Sequence, residues 1–138
     1  MAKDKYHDHV RLALENDGWT ITNDPFRIPI GRRKAYIDLG AERLIIGALK
    51  GTEKIAVEIK TFAGASDIQD FDQAIGQFTR YGFALRSQEP DRKLFLAIPN
   101  IFFNRFFDDV FFIELLDYAG VSSLVYDEEN PIIVKWIK

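Results

Sequence analysis

Apolar residues recur along the first part of the chain at helical spacing. Tyr6, Val10, Ala13 and Leu14 fall within one arc of about 100° when each residue is stepped by about 100°. This predicts an amphipathic helix over residues 4–17, stopped by Gly18. Trp19–Thr22 then reads as a strand and Asn23-Asp-Pro25 as a turn. From Arg27 to Lys60 the pattern is extended. Lys34–Leu39 and Arg43–Leu49 are apolar-rich, residues 50–54 form a hairpin-like break, and Ile55–Phe62 is the next strand. Such lengths predict a meander of antiparallel strands.

Ser66 followed by Gln69 has the form of a capping box, which opens a helix running to about Arg86. Ile68, Phe71, Ile75, Phe78, Gly82 and Leu85 share one face of it. Lys93–Pro99 is a short buried strand, and a strand–helix–strand crossover of this length places its two strands parallel in one sheet. Asn100 is placed to cap a phenylalanine-rich helical region that reaches Tyr118, breaks near Asp108-Asp109 and stops at Gly120. Val121–Tyr126 and Pro131–Ile137 predict a terminal hairpin. Nothing repeats and no low-complexity linker divides the chain, so the expectation is a single domain over residues 1–138. Its class is α/β (α+β): a mixed sheet, an antiparallel meander feeding a parallel crossover, flanked by helices.

Composition narrows the functions available. A chain of 138 residues buries roughly 68% of its unfolded surface, enough for a core without staples. A hydrophobic share of 47% with 28% charged residues excludes a disordered chain. The absence of cysteine removes disulfide scaffolds, thiolate zinc sites and cysteine nucleophiles together. No apolar run approaches about 18 residues and the amino terminus lacks a signal-peptide core, so a cytoplasmic protein with no membrane segment is expected. The net charge of −3 argues against a whole-surface polyanion binder, and any nucleic-acid contact has to rest on a local patch. Basic residues gather at Arg27 and at Arg32, Arg33 and Lys34 around Gly31. This loop is either a grip for a phosphate backbone or a solvated hairpin tip. Six of the 12 phenylalanines lie between Phe102 and Phe112, a surplus that fits either core or a dimer or partner interface.

The chemistry-bearing candidates are Asp38, Glu58 and Lys60. Strand side chains alternate, so Glu58 and Lys60 point one way while Ile59 turns into the core. With the Asp38 strand alongside, the two carboxylates converge on one cation. The backbone carbonyl of Ile59 adds a third oxygen and leaves positions for water and phosphate on octahedral Mg²⁺ or Mn²⁺. Such an ion polarises a phosphoryl oxygen and activates water, and a lysine beside it orients that water. Acid-x-Lys alone is uninformative, since it occurs again at Asp91-Arg-Lys93 in a solvated turn. The alternative is a cross-strand Glu–Lys pair on a solvent face, with Asp38 a surface acid. Gln73, Gln77 and Tyr81 follow at i, i+4, i+8, a stripe suited to phosphate or base contacts or to the polar edge of an amphipathic helix. Glu42, four residues past Asp38 on a continuous strand, is a further metal or water ligand or a surface acid. His7, at the edge of the first helix's apolar arc, is favoured over Glu15 as a cleft-facing residue, or is a histidine satisfied at a packing boundary.

Asp38, Glu58-Ile-Lys60 and the later Gln77-Phe-Thr-Arg-Tyr81 resemble the motifs of the PD-(D/E)xK nuclease superfamily and its RecB-like branch, relaxed by Ile37 standing where a proline is usual. The resemblance implies a restriction-endonuclease-like core of helix, three-stranded meander, helix and strand. More of the chain is similar to the XisH family of fdxN-element excision controlling factors. The matching segments are Lys3-Asp-Lys-Tyr-His7, Asp17-Gly-Trp-Thr-Ile-Thr22, Ile37-Asp-Leu-Gly-Ala-Glu42, Lys54-Ile-Ala-Val-Glu-Ile-Lys60, Gly76-Gln-Phe78, Val125-Tyr-Asp127 and Ile133-Val-Lys-Trp-Ile137. That resemblance implies a role in programmed excision of a DNA element in cyanobacteria, with a site-specific recombinase and an XisI-like protein as partners. Two functions are therefore expected: a metal-dependent endonuclease-like domain acting on DNA, or a catalytically silent adaptor of the same fold that binds DNA, the recombinase or the XisI-like protein.

Overall fold

The computed structural model describes residues 5–45 and 51–138. The amino-terminal helix α1 (His7–Asn16) leads into β1 (Thr20–Asn23), and two strands, β2 (Phe26–Ile30) and β3 (Arg33–Ile37), follow. Then come β4 (Leu39–Leu44), β5 (Thr52–Ile59), the long α2 (Asp67–Gln88) and β6 (Arg92–Pro99). Two short helices, α3 (Asn100–Phe106) and α4 (Val110–Tyr118), precede the closing strands β7 (Ser123–Tyr126) and β8 (Ile133–Ile137). Six strands form one sheet in the order β1-β4-β5-β6-β7-β8. The pairs β5–β6 and β6–β7 are parallel and the rest antiparallel, so an antiparallel meander does feed a parallel crossover through α2.

Alternation along the central strands splits the core in two. Ile55, Val57 and Ile59 of β5, with Phe95 and Ala97 of β6, face Val10 and Leu14 of α1 and Trp19. Ala56, Leu94, Leu96 and Ile98 face Phe71, Ala74, Phe78 and Tyr81 of α2. The outcome is three layers, with α1 on one side of the sheet and α2, α3 and α4 on the other. Ser66 caps α2 as its spacing predicts, its hydroxyl accepting from the Gln69 N–H at 3.3 Å.

Two expectations are corrected, and one open alternative is decided. The stretch from Arg27 to Ile37 does not join the meander: β2 and β3 pair with each other and form a separate hairpin. Phe26, Ile28 and Ile37 of that hairpin pack on the α2 side of the core, an arrangement that the same period-2 alternation serves equally well. Asn100 is the first residue of α3 and not its cap, whereas Asp109, unassigned from the pattern, caps α4 by accepting from the Phe111 N–H at 3.1 Å. Most of the phenylalanine surplus is core. Phe102, Phe103, Phe106 and Phe107 are buried and Phe112 packs against them, leaving Phe111 exposed. The start of the first predicted helix and residues 46–50 of the predicted strand and break lie outside the described residues. Among the described residues no helix is long and apolar enough to cross a membrane.

Candidate active site at the end of β5

The parallel pairing of β5 and β6 leaves a crevice where the crossover departs, at the carboxyl end of β5, the usual ligand position in a sheet with parallel strands. Glu58 is the penultimate residue of β5 and Lys60 follows the strand directly. Asp38 occupies the bend between β3 and β4, not the interior of a strand. Two reciprocal hydrogen bonds lock the acids across the strands. The Ile59 N–H donates to Asp38 Oδ2 at 2.7 Å, and the Asp38 N–H donates to Glu58 Oε1 at 3.3 Å. Lys60 is tied down by its backbone, donating N–H to the Ala97 carbonyl at 3.2 Å and accepting the Tyr126 hydroxyl at 3.3 Å. Its ammonium stands 3.9 Å from Glu58 Oε2. Gly40, two residues past Asp38, allows this bend to close: a Cβ there would stand 2.8 Å from Phe26 and 2.9 Å from Asn23 Oδ1.

Electrostatics make this an unusual pair. Burial, reinforced by the negative charge of Asp38 and only partly offset by Lys60, pushes the Glu58 carboxyl up to about 8. Two carboxyls held this close in a dry place disfavour being ionised together, and a divalent cation removes that penalty. The donor set therefore fits a hard cation with oxygen ligands, namely Asp38, Glu58 and the Ile59 carbonyl. Among the described residues no three His, Asp or Glu side chains converge as a metal-binding group, so the backbone oxygen is essential to such a site.

His7 does reach the site. Its buried imidazole donates Nε2–H to Asp24 Oδ1 at 2.6 Å, while Nδ1 has no hydrogen-bond partner and stands 3.8 Å from Asp38 Oδ1. Arg11 holds the far oxygen of Asp24 at 2.6 Å. Partial burial acts to raise the Asp24 carboxyl, but the hydrogen bonds and charges of Arg11 and His7 outweigh it and hold the group below its ordinary value. Neither Arg11 nor Asp24 was visible as a functional candidate. The bonds of Asp24 to His7 and to Arg11 cross 17 and 13 positions and leave no local pattern.

On α2, Gln73 and Gln77 line an open cavity of about 490 Å³ together with Lys60, Gly76 and Arg80. Arg80 was missed in the pattern, although it continues the Gln73 stripe at i+7. Tyr81 does not stand in that stripe. Its ring is buried in the α2 core, and only its hydroxyl reaches outward to accept from Gln77 Nε2 at 3.0 Å. Glu42 is likewise elsewhere. Because the chain bends at Asp38, Glu42 pairs across to Lys54, four residues or about 13 Å along β5 from Glu58, and its carboxylate stands 3.8 Å from Arg92. Arg32, Arg33 and Lys34 are exposed at the tip of the β2–β3 hairpin, and Lys34 lies four residues, or about 13 Å along β3, from Asp38, so the structure does not bring them into the site.

Comparison with known proteins follows the whole chain. The family model described as XisH protein matches residues 1–134. The crystal structure of an XisH family protein from Nostoc punctiforme PCC 73102 is similar with a TM-score of 0.86 and 42% identity, over 98% of this chain and 100% of that one. A fdxN element excision controlling factor protein from Anabaena variabilis is equally similar, with a TM-score of 0.86 and 42% identity over 99% of this chain and 100% of its own. No curated protein matches the chain.

Proposed function

The chain belongs to the XisH family, and from that membership we propose that it is a controlling factor for excision of a DNA element whose β5 site hydrolyses DNA phosphodiesters. One observation carries the chemical part: Asp38 and Glu58 are interlocked at a strand end with Lys60 beside them. Asp38, Glu58 and the Ile59 carbonyl would hold Mg²⁺ or Mn²⁺, which when bound supplies Lewis-acid polarisation of a phosphoryl oxygen. Lys60 orients the attacking water by hydrogen bonding and offsets the negative charge that develops on the phosphate. His7, fixed by Asp24, places its Nδ1 3.8 Å from Asp38 Oδ1 at the edge of the cleft. Gln73 and Gln77 contact the substrate backbone, and the Arg32, Arg33 and Lys34 tip attracts it from a distance. The test is Mg²⁺- or Mn²⁺-dependent nicking of duplex, single-stranded and branched DNA. Glu58→Ala and Lys60→Ala should each lower the rate by about 10² or more; activity unchanged in either variant would sink the assignment.

A second reading is favoured by a different observation. Val110 and Phe111 at the start of α4 are exposed apolar side chains, and the Lys60 ammonium already stands 3.9 Å from Glu58 Oε2. An adaptor of this fold would use α4 to hold a site-specific recombinase or an XisI-like protein and would cleave nothing. In that case Phe111→Ala abolishes assembly while Glu58→Ala leaves excision intact.

A further inference from the structure

Gly76 sits in the middle of a 22-residue helix, where glycine is unfavourable relative to alanine. Within this chain nothing asks for it. A Cβ built at Gly76 meets no atom within 4 Å, and the residue is exposed. Gly82, six residues on, shows the contrast, since a Cβ there would already touch Leu94 of the sheet at 3.9 Å. Gly76 instead lines the 490 Å³ cavity, flanked by the amides of Gln73 and Gln77 and by the cations Lys60 and Arg80. No carboxylate lines that cavity, and among the described residues none stands within ion-pair distance of Arg80.

We propose that Gly76 and Arg80 form a binding notch for the sugar-phosphate backbone of a nucleic-acid strand, the bare helix at Gly76 allowing close approach and Arg80 clamping a phosphate beyond the scissile position. The inference rests on the reading that this protein acts on DNA, and it adds a surface that the carboxylate site does not contain. Lys60 belongs to both, so a strand leaving the β5 end passes directly into the notch. Two cations joined by neutral amide donors match a chain of phosphates better than one isolated anion, and Arg80, Gln73, Gln77 and Lys60 all line the one cavity. A side chain at residue 76 would fill the space between them.

Binding is read by fluorescence anisotropy of labelled single-stranded and duplex oligonucleotides in EDTA, so that cleavage plays no part. Arg80→Ala is expected to weaken binding about tenfold and to reduce the slope of log affinity against log salt by about one, an effect that loss of structure alone does not mimic. Gly76→Leu is expected to weaken binding at least tenfold with an unchanged thermal midpoint, while Gly76→Ala holds or raises that midpoint. Wild-type affinity and salt slope in Arg80→Ala would overturn the proposal, as would a poly-glutamate peptide that binds as tightly as the oligonucleotide. A midpoint lowered in both Gly76 variants would show the glycine to be there for packing and overturn its role. The catalytic reading fails separately: weakened binding in these variants beside a wild-type protein that nicks no DNA would leave the notch standing and remove the nuclease.

Discussion

Glu58 shows how much one carboxyl can report. Because its folded-state value is raised to about 8 from the ordinary 4.5, the cation-free folded protein keeps a proton that the unfolded chain has already released. Stability should therefore be greatest at the acid end of that window and fall as pH rises from about 5 to about 8. The slope attributable to Glu58 is up to about 1.4 kcal/mol per pH unit. Urea unfolding of wild type and Glu58→Gln in EDTA checks it, since the variant should lose that part of the slope. Phe62 offers a second single-residue test. It holds φ at 56°, a left-handed conformation that strains a bulky residue, directly after the site. Its ring stacks on Phe102 at 4.1 Å between centroids, and that packing holds the strain. Phe62→Ala should cost about 3 kcal/mol for the lost ring, and Phe62→Gly about 1 kcal/mol less than that, because glycine accepts the positive φ. Denaturant midpoints of the two variants decide whether the backbone or the ring dominates.

At the scale of elements, some features were readable and others were not, for identifiable reasons. The helix α2 was readable because Phe71, Phe78 and Leu85 keep helical period over many turns and Ser66 announces its start. The crossover to β6 was readable because a helix between two apolar strands admits one handed, parallel connection. The β2–β3 hairpin was not, since alternation names the buried face of a strand and leaves open what covers it. Nor did the chain distinguish buried phenylalanines from exposed ones. Phe106, in contact with Phe71 at 5.3 Å and Phe112 at 4.3 Å between ring centroids, carries the packing of α3 and α4 onto α2. Phe106→Ala should destabilise the fold by about 3–5 kcal/mol. Phe111→Ala, at a position 64% exposed, should change stability by no more than about 0.5 kcal/mol. Chemical denaturation separates the two, and equal losses would mean that the α3–α4 unit packs otherwise.

For the molecule as a whole, the candidate site gathers residues from regions far apart in the chain: His7 from α1, Asp38 from a bend, Glu58 from the end of β5, Lys60 directly after it, and Gln73 and Gln77 from α2. Asp38, Glu58 and Lys60, which strand alternation and a known spacing mark as candidates in the sequence, stand together in the fold. Asp24 and Arg11 had no such mark, and only folding joins Asp24 to His7 and to Arg11. This convergence yields a prediction that ties binding to the stability of the entire fold. A cation that binds the folded site and not the unfolded chain stabilises by RT ln(1 + [L]/Kd), about 2.7 kcal/mol at a hundredfold excess over Kd. In a chain of this size that raises the thermal midpoint by roughly 8–14 °C at about 3–5 °C per kcal/mol. Cation and proton compete for Glu58, so below about pH 8 each unit of acidification should weaken apparent cation affinity toward tenfold. At fixed Mn²⁺ the gain in midpoint over EDTA should therefore be larger at pH 8 than at pH 6. Glu58→Gln and Asp38→Asn should show no gain at either pH. Thermal melts of the three proteins in a two-by-two design of pH and Mn²⁺ give the answer, and a wild-type gain that is absent, or independent of pH, would remove the cation from the β5 site.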